Sequence, residues 1–252
     1  MNEILKPNDI EPIVIDLEEF EKKIKYYLSG VFDDLESIID TNNLFLFGGT
    51  VNKLINTNTK FNDFDFFTTL TIDEMRLILN SLNIASKSKL RGQVINFTTT
   101  NRFDVDIRGS GVRNNLSTYA DFTVSSILVN NNLEYSDPLQ GLQDLASRRL
   151  RYTKDIITNV NTNFPSIVRS VKILTEQNMW IAKDEWEQTI EAAKFFDSSE
   201  CCQYEKESNS GWLLRKLSFL RKLNNLQRFR AVTLLDSLKS ERINDLVKQT
   251  IK

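Results

Sequence analysis

The stretch Leu44-Phe45-Leu46-Phe47-Gly48-Gly49-Thr50-Val51-Asn52-Lys53-Leu54-Ile55, followed shortly by Asp63-Phe64-Asp65-Phe66-Phe67-Thr68, decides the fold. A wholly apolar run stopped by two glycines reads as a buried strand ending in a tight turn. Thr50 to Ile55 resumes helical spacing, so the turn opens a helix. From Phe61 to Thr69 the phenylalanines at 64 and 66 alternate with Asp63 and Asp65, the two-residue period of a strand with one buried face. Both carboxylates then leave the same face, about 7 Å apart at their Cα atoms.

Upstream, Ile13 to Asp40 places apolar residues at helical intervals among charges and reads as an amphipathic helix. Downstream, Met75 to Leu82 is helical after a cap at Thr71 or Asp73. Two more strands follow, Val94 to Thr99 and Arg102 to Arg108. The second alternates strictly, with Phe103, Val105 and Ile107 on one side and Asp104, Asp106 and Arg108 on the other. Phe122 to Val129 and the loop through Asp137-Pro138-Leu139 and Gly141 close this mixed region. Strand signals fade beyond about Tyr152. From Pro165 the pattern is helical: Ile167 to Glu176, Glu185 to Phe196, Gly211 to Leu223 and Leu226 to Val247, interrupted by a polar segment at Ser198 to Ser210. The fold class is therefore α+β: an N-terminal domain (1–152) with a mixed sheet flanked by helices, then an all-α domain (153–252).

The 252 residues, 40% hydrophobic and 26% charged, are ample for one or two globular domains. The chain has no histidine, which excludes histidine general bases, Ser-His-Asp and Cys-His nucleophiles and most zinc sites. Catalysis must use carboxylates, lysines, hydroxyls or oxygen-bound metals. Cys201 and Cys202 are adjacent and supply no metal-ligand spacing, which fits a reducing compartment. Net charge is −2, so any affinity for nucleic acid comes from a local patch. From Gly211 onward ten Lys or Arg face three Asp or Glu. No run approaches a membrane span, and the acidic start lacks a signal peptide's order, so a cytoplasmic protein is expected.

A strand face bearing Asp63 and Asp65 can hold a hard cation. With a third acid from Asp104 or Asp106 it can hold two Mg²⁺ ions, which clamp the attacking and leaving oxygens of an in-line phosphoryl or nucleotidyl transfer. Gly48-Gly49 at a helix start can present backbone N–H groups to a triphosphate. Each feature alone also reads blandly, as solvated acids on an open face and as an ordinary turn.

Taken in order, the segments resemble the head of class II tRNA nucleotidyltransferases and bacterial-type poly(A) polymerases. Leu46 to Val51 and Asp63 to Thr68 are similar to that family's Gly-Gly-x-Val-Arg-Asp and Asp-x-Asp blocks. Phe103 to Arg108 is similar to its strand with the third acid. Ala120-Asp121-Phe122-Thr123-Val124-Ser125-Ser126 resembles its Arg-Arg-Asp-Phe-Thr-Ile-Asn-Ala block. Asp137-Pro138-Leu139-Gln140-Gly141-Leu142-Gln143-Asp144-Leu145, with Arg149-Leu150-Arg151 behind it, resembles its Asp-Pro-x-x-Gly-x-x-Asp-Leu and Arg-x-Leu-Arg. Val168 to Ile173 is similar to the family's Leu-Arg-Ala-Val-Arg-Phe.

The resemblance implies a template-independent transfer of a nucleoside monophosphate from an NTP to an RNA 3′ hydroxyl. It implies two Mg²⁺ ions held by Asp63, Asp65 and Asp106, with Asp104 as the other candidate acid. Gly48, Gly49, Lys53, Arg108, Asp121, Arg169 and Lys172 would contact the nucleotide, and the basic C-terminal helices would contact RNA. Departures are specific. Asn52-Lys53 replaces the family's Arg-Asp, Tyr119-Ala120 replaces its Arg-Arg, and Ser125 replaces its Asn. Its base-reading Glu-Asp-x-x-Arg aligns with Thr162 to Ser166. Lys53, Arg108 and Arg113 are candidates to replace the lost arginines. Two rivals follow: the same head transferring NMP to a protein or small molecule, and a catalytically degenerate head serving as a binding or assembly subunit of a nucleic-acid complex.

Overall fold

A computed structural model describes residues 10–36, 42, 44–56, 63–81, 89–91, 94–99, 101, 103–109, 120–153, 160–196 and 217–251. Arg102, Arg113, Tyr119, Cys201, Cys202, the polar segment from Ser198 to Ser210 and the start of the Gly211 to Leu223 helix lie outside the described residues. By contact the chain divides into Val14–Gln143 and a second unit of Met1–Ile13 with Asp144–Lys252.

The first unit opens with α1 (Leu17–Glu36), whose stripe of Phe20, Ile24, Leu28, Val31, Phe32 and Leu35 is buried. Asp16 starts it by accepting the Glu19 N–H at 3.0 Å. There follow β1 (Leu44–Phe47), α2 (Gly49–Asn56), β2 (Asp63–Thr68), α3 (Ile72–Ser81), β3 (Lys89–Arg91), β4 (Val94–Thr98), β5 (Asp104–Gly109), β6 (Leu128–Val129) and β7 (Tyr135–Ser136). Thr71 caps α3 in a reciprocal box: its hydroxyl accepts the Glu74 N–H at 3.2 Å, and Glu74 accepts the Thr71 N–H at 2.7 Å.

The strands form one mixed sheet in the order β3-β4-β5-β2-β1-β6-β7. β2 and β5 run parallel; the other neighbours are antiparallel. Leu44, Leu46, Phe64, Phe66, Ile95, Val105 and Ile107 fall on one face and are buried. The Phe32 ring of α1 meets Phe66 edge-on at 5.4 Å, so this is the face α1 covers. Fully burying one such side chain contributes about 1.5–3 kcal/mol. The opposite face carries the acids.

The second unit holds α4 (Gly141–Ala146, which begins at the end of the first), β8 (Arg149–Leu150), α5 (Val160–Glu176), β9 (Trp180–Ile181), α6 (Lys183–Phe196), α7 (Asn225–Ser237) and α8 (Glu241–Ile251), with a 3₁₀ turn at Ser218–Lys222. A two-residue parallel pair, β8 with β9, accompanies the helices, and one expectation needs correction. The helix expected from Leu226 to Val247 is two helices, broken where Lys239 adopts φ +55° and Ser240 caps α8 by accepting the Ile243 N–H at 3.2 Å. No glycine or proline marks the stop in the sequence. Among the described residues no helix is long and apolar enough to cross a membrane.

Candidate active site

The register of β2 against β5 sets Asp63 beside Asp104 and Asp65 beside Asp106. Adjacent strands stand about 4.8 Å apart, so four carboxylates share one patch of the open face. Asp63 and Asp104 are the more exposed pair, though the Asp63 carboxyl is partly shielded from water, and Asp65 and Asp106 are half-buried. The Asp63 carboxyl is pushed above its ordinary range, first by partial burial, then by the negative Asp106 and Asp104, with Lys53 of α2 opposing them. A cation would relieve that repulsion.

The glycine turn sits against the acids. Gly48 has φ +82°, a conformation that favours glycine, and a Cβ built there would lie 3.6 Å from Asp65 Oδ2. Phe47 is the cross-strand partner of Asp65. Thr50 Oγ1 donates to the Asp63 carbonyl at 2.8 Å, tying the start of α2 to the first acid strand. The Gly48 N–H donates to the Ser125 carbonyl at 3.1 Å. The diglycine turn is thereby docked on the 3₁₀ turn at Thr123–Ser125, directly after Asp121. With the Gly48 N–H engaged, an amide cradle for phosphate falls on the first turn of α2, from Gly49 onward.

Two residues not singled out from the sequence flank the acids. Asn96 Nδ2 donates to Asp106 Oδ1 at 2.6 Å, and Thr98 Oγ1 donates to Asp104 Oδ1 at 2.9 Å. They are the β4 partners of those aspartates. The sequence carries no signal for this, since the pairing of β4 with β5 is a tertiary fact.

Arg108 lies two residues beyond Asp106 on the same face, with its guanidinium 5.9 Å from the Phe47 ring centroid. Its Nε is buried and has no hydrogen-bond partner among the described residues. Phe45, Phe47, Phe67 and Leu128 make an apolar cluster next to it. Arg169 and Lys172 stand on α5 in the other compact unit, and Lys172 pairs with Glu176 at 3.9 Å. Among the described residues no three His, Cys, Asp or Glu side chains are grouped so that they could hold a metal ion. The four aspartates are hard oxygen donors of the kind Mg²⁺ takes, in register on one surface.

The downstream motif has a structural account. Asp137 accepts the Gly141 and Leu142 N–H groups at 2.6 and 2.9 Å and caps α4. A Cβ at Gly141 would collide with the Thr123 carbonyl oxygen and stand 3.0 Å from Ile127 Cγ1. Asp144 accepts from Arg151 at 2.9 and 3.0 Å.

A mixed sheet with paired acids on parallel neighbours beside a glycine turn, joined in sequence to a helical unit, is a fold shared with solved CCA-adding enzymes. The CCA-adding enzyme of Thermotoga maritima complexed with tRNA-CCA is 14% identical, with a TM-score of 0.65 over 92% of this chain and 56% of that one. A CCA-adding enzyme in complex with CTP is 13% identical, with a TM-score of 0.63 over 88% of this chain and 55% of that one. The chain thus spans about half the length of the structures it matches. No family model and no curated protein matches the sequence.

Proposed function

We propose that the protein transfers a nucleoside monophosphate from an NTP to the 3′ hydroxyl of an RNA. The observation that carries this reading is the in-register pairing of Asp63 with Asp104 and Asp65 with Asp106 beside the Gly48 turn. Asp63, Asp65 and Asp106 would hold Mg²⁺, with Asp104 alongside. Held by those residues, magnesium would supply charge neutralisation for the triphosphate and would favour ionisation of the attacking hydroxyl. The first turn of α2, Lys53 and Arg108 supply positive potential for the phosphates. In the reaction the 3′ oxygen forms a bond to the α-phosphorus, the bond from that phosphorus to the β-phosphate bridging oxygen breaks, and pyrophosphate leaves. The hydroxyl proton passes to a carboxylate of the patch, Asp106 or Asp104. No histidine is needed.

Incubation with Mg²⁺, each labelled NTP in turn and a short RNA should lengthen the RNA, and Asp63→Ala should abolish the product. Unchanged product in that variant excludes this site. Label on protein in place of RNA would identify a different acceptor. A second reading, a binding subunit with a decayed site, is favoured by the lost family arginines and by the finding that no three acids among the described residues are grouped to hold a metal ion. Calorimetry decides between the two, since a decayed head fails to bind NTP with Mg²⁺.

A further inference from the structure

Asn96 is an uncommon choice for the middle of a strand, where asparagine is depleted. Its place is explained by what it touches. Asp106, when ionised, only accepts hydrogen bonds, so the amide nitrogen of Asn96 must face it, as it does at 2.6 Å. Two residues along β4, Thr98 makes the same kind of bond to Asp104 at 2.9 Å. Both donors take Oδ1 of their aspartate, and both are uncharged, so they fix a carboxylate without neutralising it. On its other flank each of these aspartates meets an acid of β2. The Thr98 bond is exposed and the Asn96 bond partly buried, so each adds to folding as a hydrogen bond to a charged group does, and each also fixes the orientation of its carboxylate.

We infer that Asn96 and Thr98 are positioning residues of the carboxylate patch: they hold one oxygen of Asp106 and Asp104 on the β4 side, so that a divalent cation meets side chains already fixed in torsion. The inference rests on the nucleotidyl-transfer reading for its purpose, and its test separates the two. In metal-free protein, side-chain scalar couplings should show one χ1 rotamer for Asp106 and Asp104. Asn96→Ala should average the first and Thr98→Val the second, while Thr98→Ser keeps the hydroxyl and the fixed rotamer. Calorimetric titration with Mn²⁺ should show about tenfold weaker binding in Asn96→Ala and Thr98→Val, the usual loss when a group that orients a metal ligand is removed. Thr98→Ser should bind like wild type, and all three variants should remain folded at the temperature of the titration, as their melting curves check. Rotamers that stay fixed in both truncated variants, with unchanged Mn²⁺ affinity, would overturn the inference. Rotamers fixed in the wild type and averaged in the truncated variants, in a protein that binds no Mn²⁺, would uphold the positioning role and overturn the transfer reading.

Discussion

Asp63 is held in a place where its negative charge is unfavourable for folding. Its carboxyl titrates above the ordinary range because of partial burial and the negative Asp106 and Asp104. A raised native value means the folded state holds the proton more tightly than the unfolded chain does. Stability therefore falls as pH climbs from the ordinary carboxylate value through the raised one. Asp63→Asn mimics the protonated form: it should melt like wild type below that window and at a higher temperature above it. Transfer activity should fall about a thousandfold, as expected when several kcal/mol of transition-state charge stabilisation is lost. Melts across the acid-to-neutral range, beside an RNA-extension assay, check both halves; a lower melting temperature at neutral pH would make the carboxylate a structural group. Two glycines fail differently. Gly141→Ala forces a Cβ into the Thr123 carbonyl and should cost about 2–3 kcal/mol in denaturant unfolding. Gly48→Ala meets no such clash, yet φ is +82°, and the left-handed backbone should cost about 1–2 kcal/mol. At this scale Asp63, Asp65, Asp104 and Asp106 were legible from their alternation with apolar residues. Asn96 and Thr98 were not, because they carry no chemistry until β4 is laid against β5.

Among the elements, those with strong periodicity and a cap were readable in advance. α1, α2 and α3, and the strands β1, β2, β4 and β5, appear where alternation or helical spacing places them, with ends shifted by a few residues. The short strands β6, β7, β8 and β9 span two residues each, too few for a period to register. They exist because a neighbouring strand supplies their partners. The break between α7 and α8 escaped for another reason: it is made by Lys239 at φ +55° and the Ser240 cap, with no glycine or proline to mark a stop. Asn224 shows the capping logic that sets such boundaries: its side chain accepts the Gln227 N–H at 2.9 Å, and Gln227 returns a bond to the Asn224 N–H at 3.3 Å. Asn224→Ala should destabilise the protein by about 1 kcal/mol, read as a lower denaturant midpoint with unchanged slope. An unchanged midpoint would mean that burial of Ala231, Leu234 and Leu235 alone holds the start of α7.

At the scale of the whole molecule the proposed transfer needs a surface that meets RNA, and the excess of positive charge at the C-terminal end points there only until the arginines at 221, 228 and 230 are followed individually. Arg221 donates to the Thr250 carbonyl at 3.0 Å. Arg228 reaches the Leu220 and Leu223 carbonyls at 3.0 and 3.1 Å. Arg230 reaches Asn178 Oδ1 and the Met179 carbonyl at 2.6 and 2.7 Å, and burial lowers its pKa. These guanidinium groups satisfy backbone acceptors at the turns and ends of the helical unit, a structural duty that composition cannot distinguish from phosphate binding. Lys222 is exposed. Charge reversal there should therefore weaken RNA binding and flatten its dependence on salt by the loss of about one phosphate contact. Arg230→Ala should instead destabilise the protein by about 1.5–3 kcal/mol, the range for hydrogen bonds to a charged group, and leave the salt slope of the folded fraction as in wild type. Filter binding of labelled RNA over a salt series, paired with denaturant unfolding, tests the two together. A salt slope that falls in Arg230→Ala without loss of stability would return that arginine to the RNA surface.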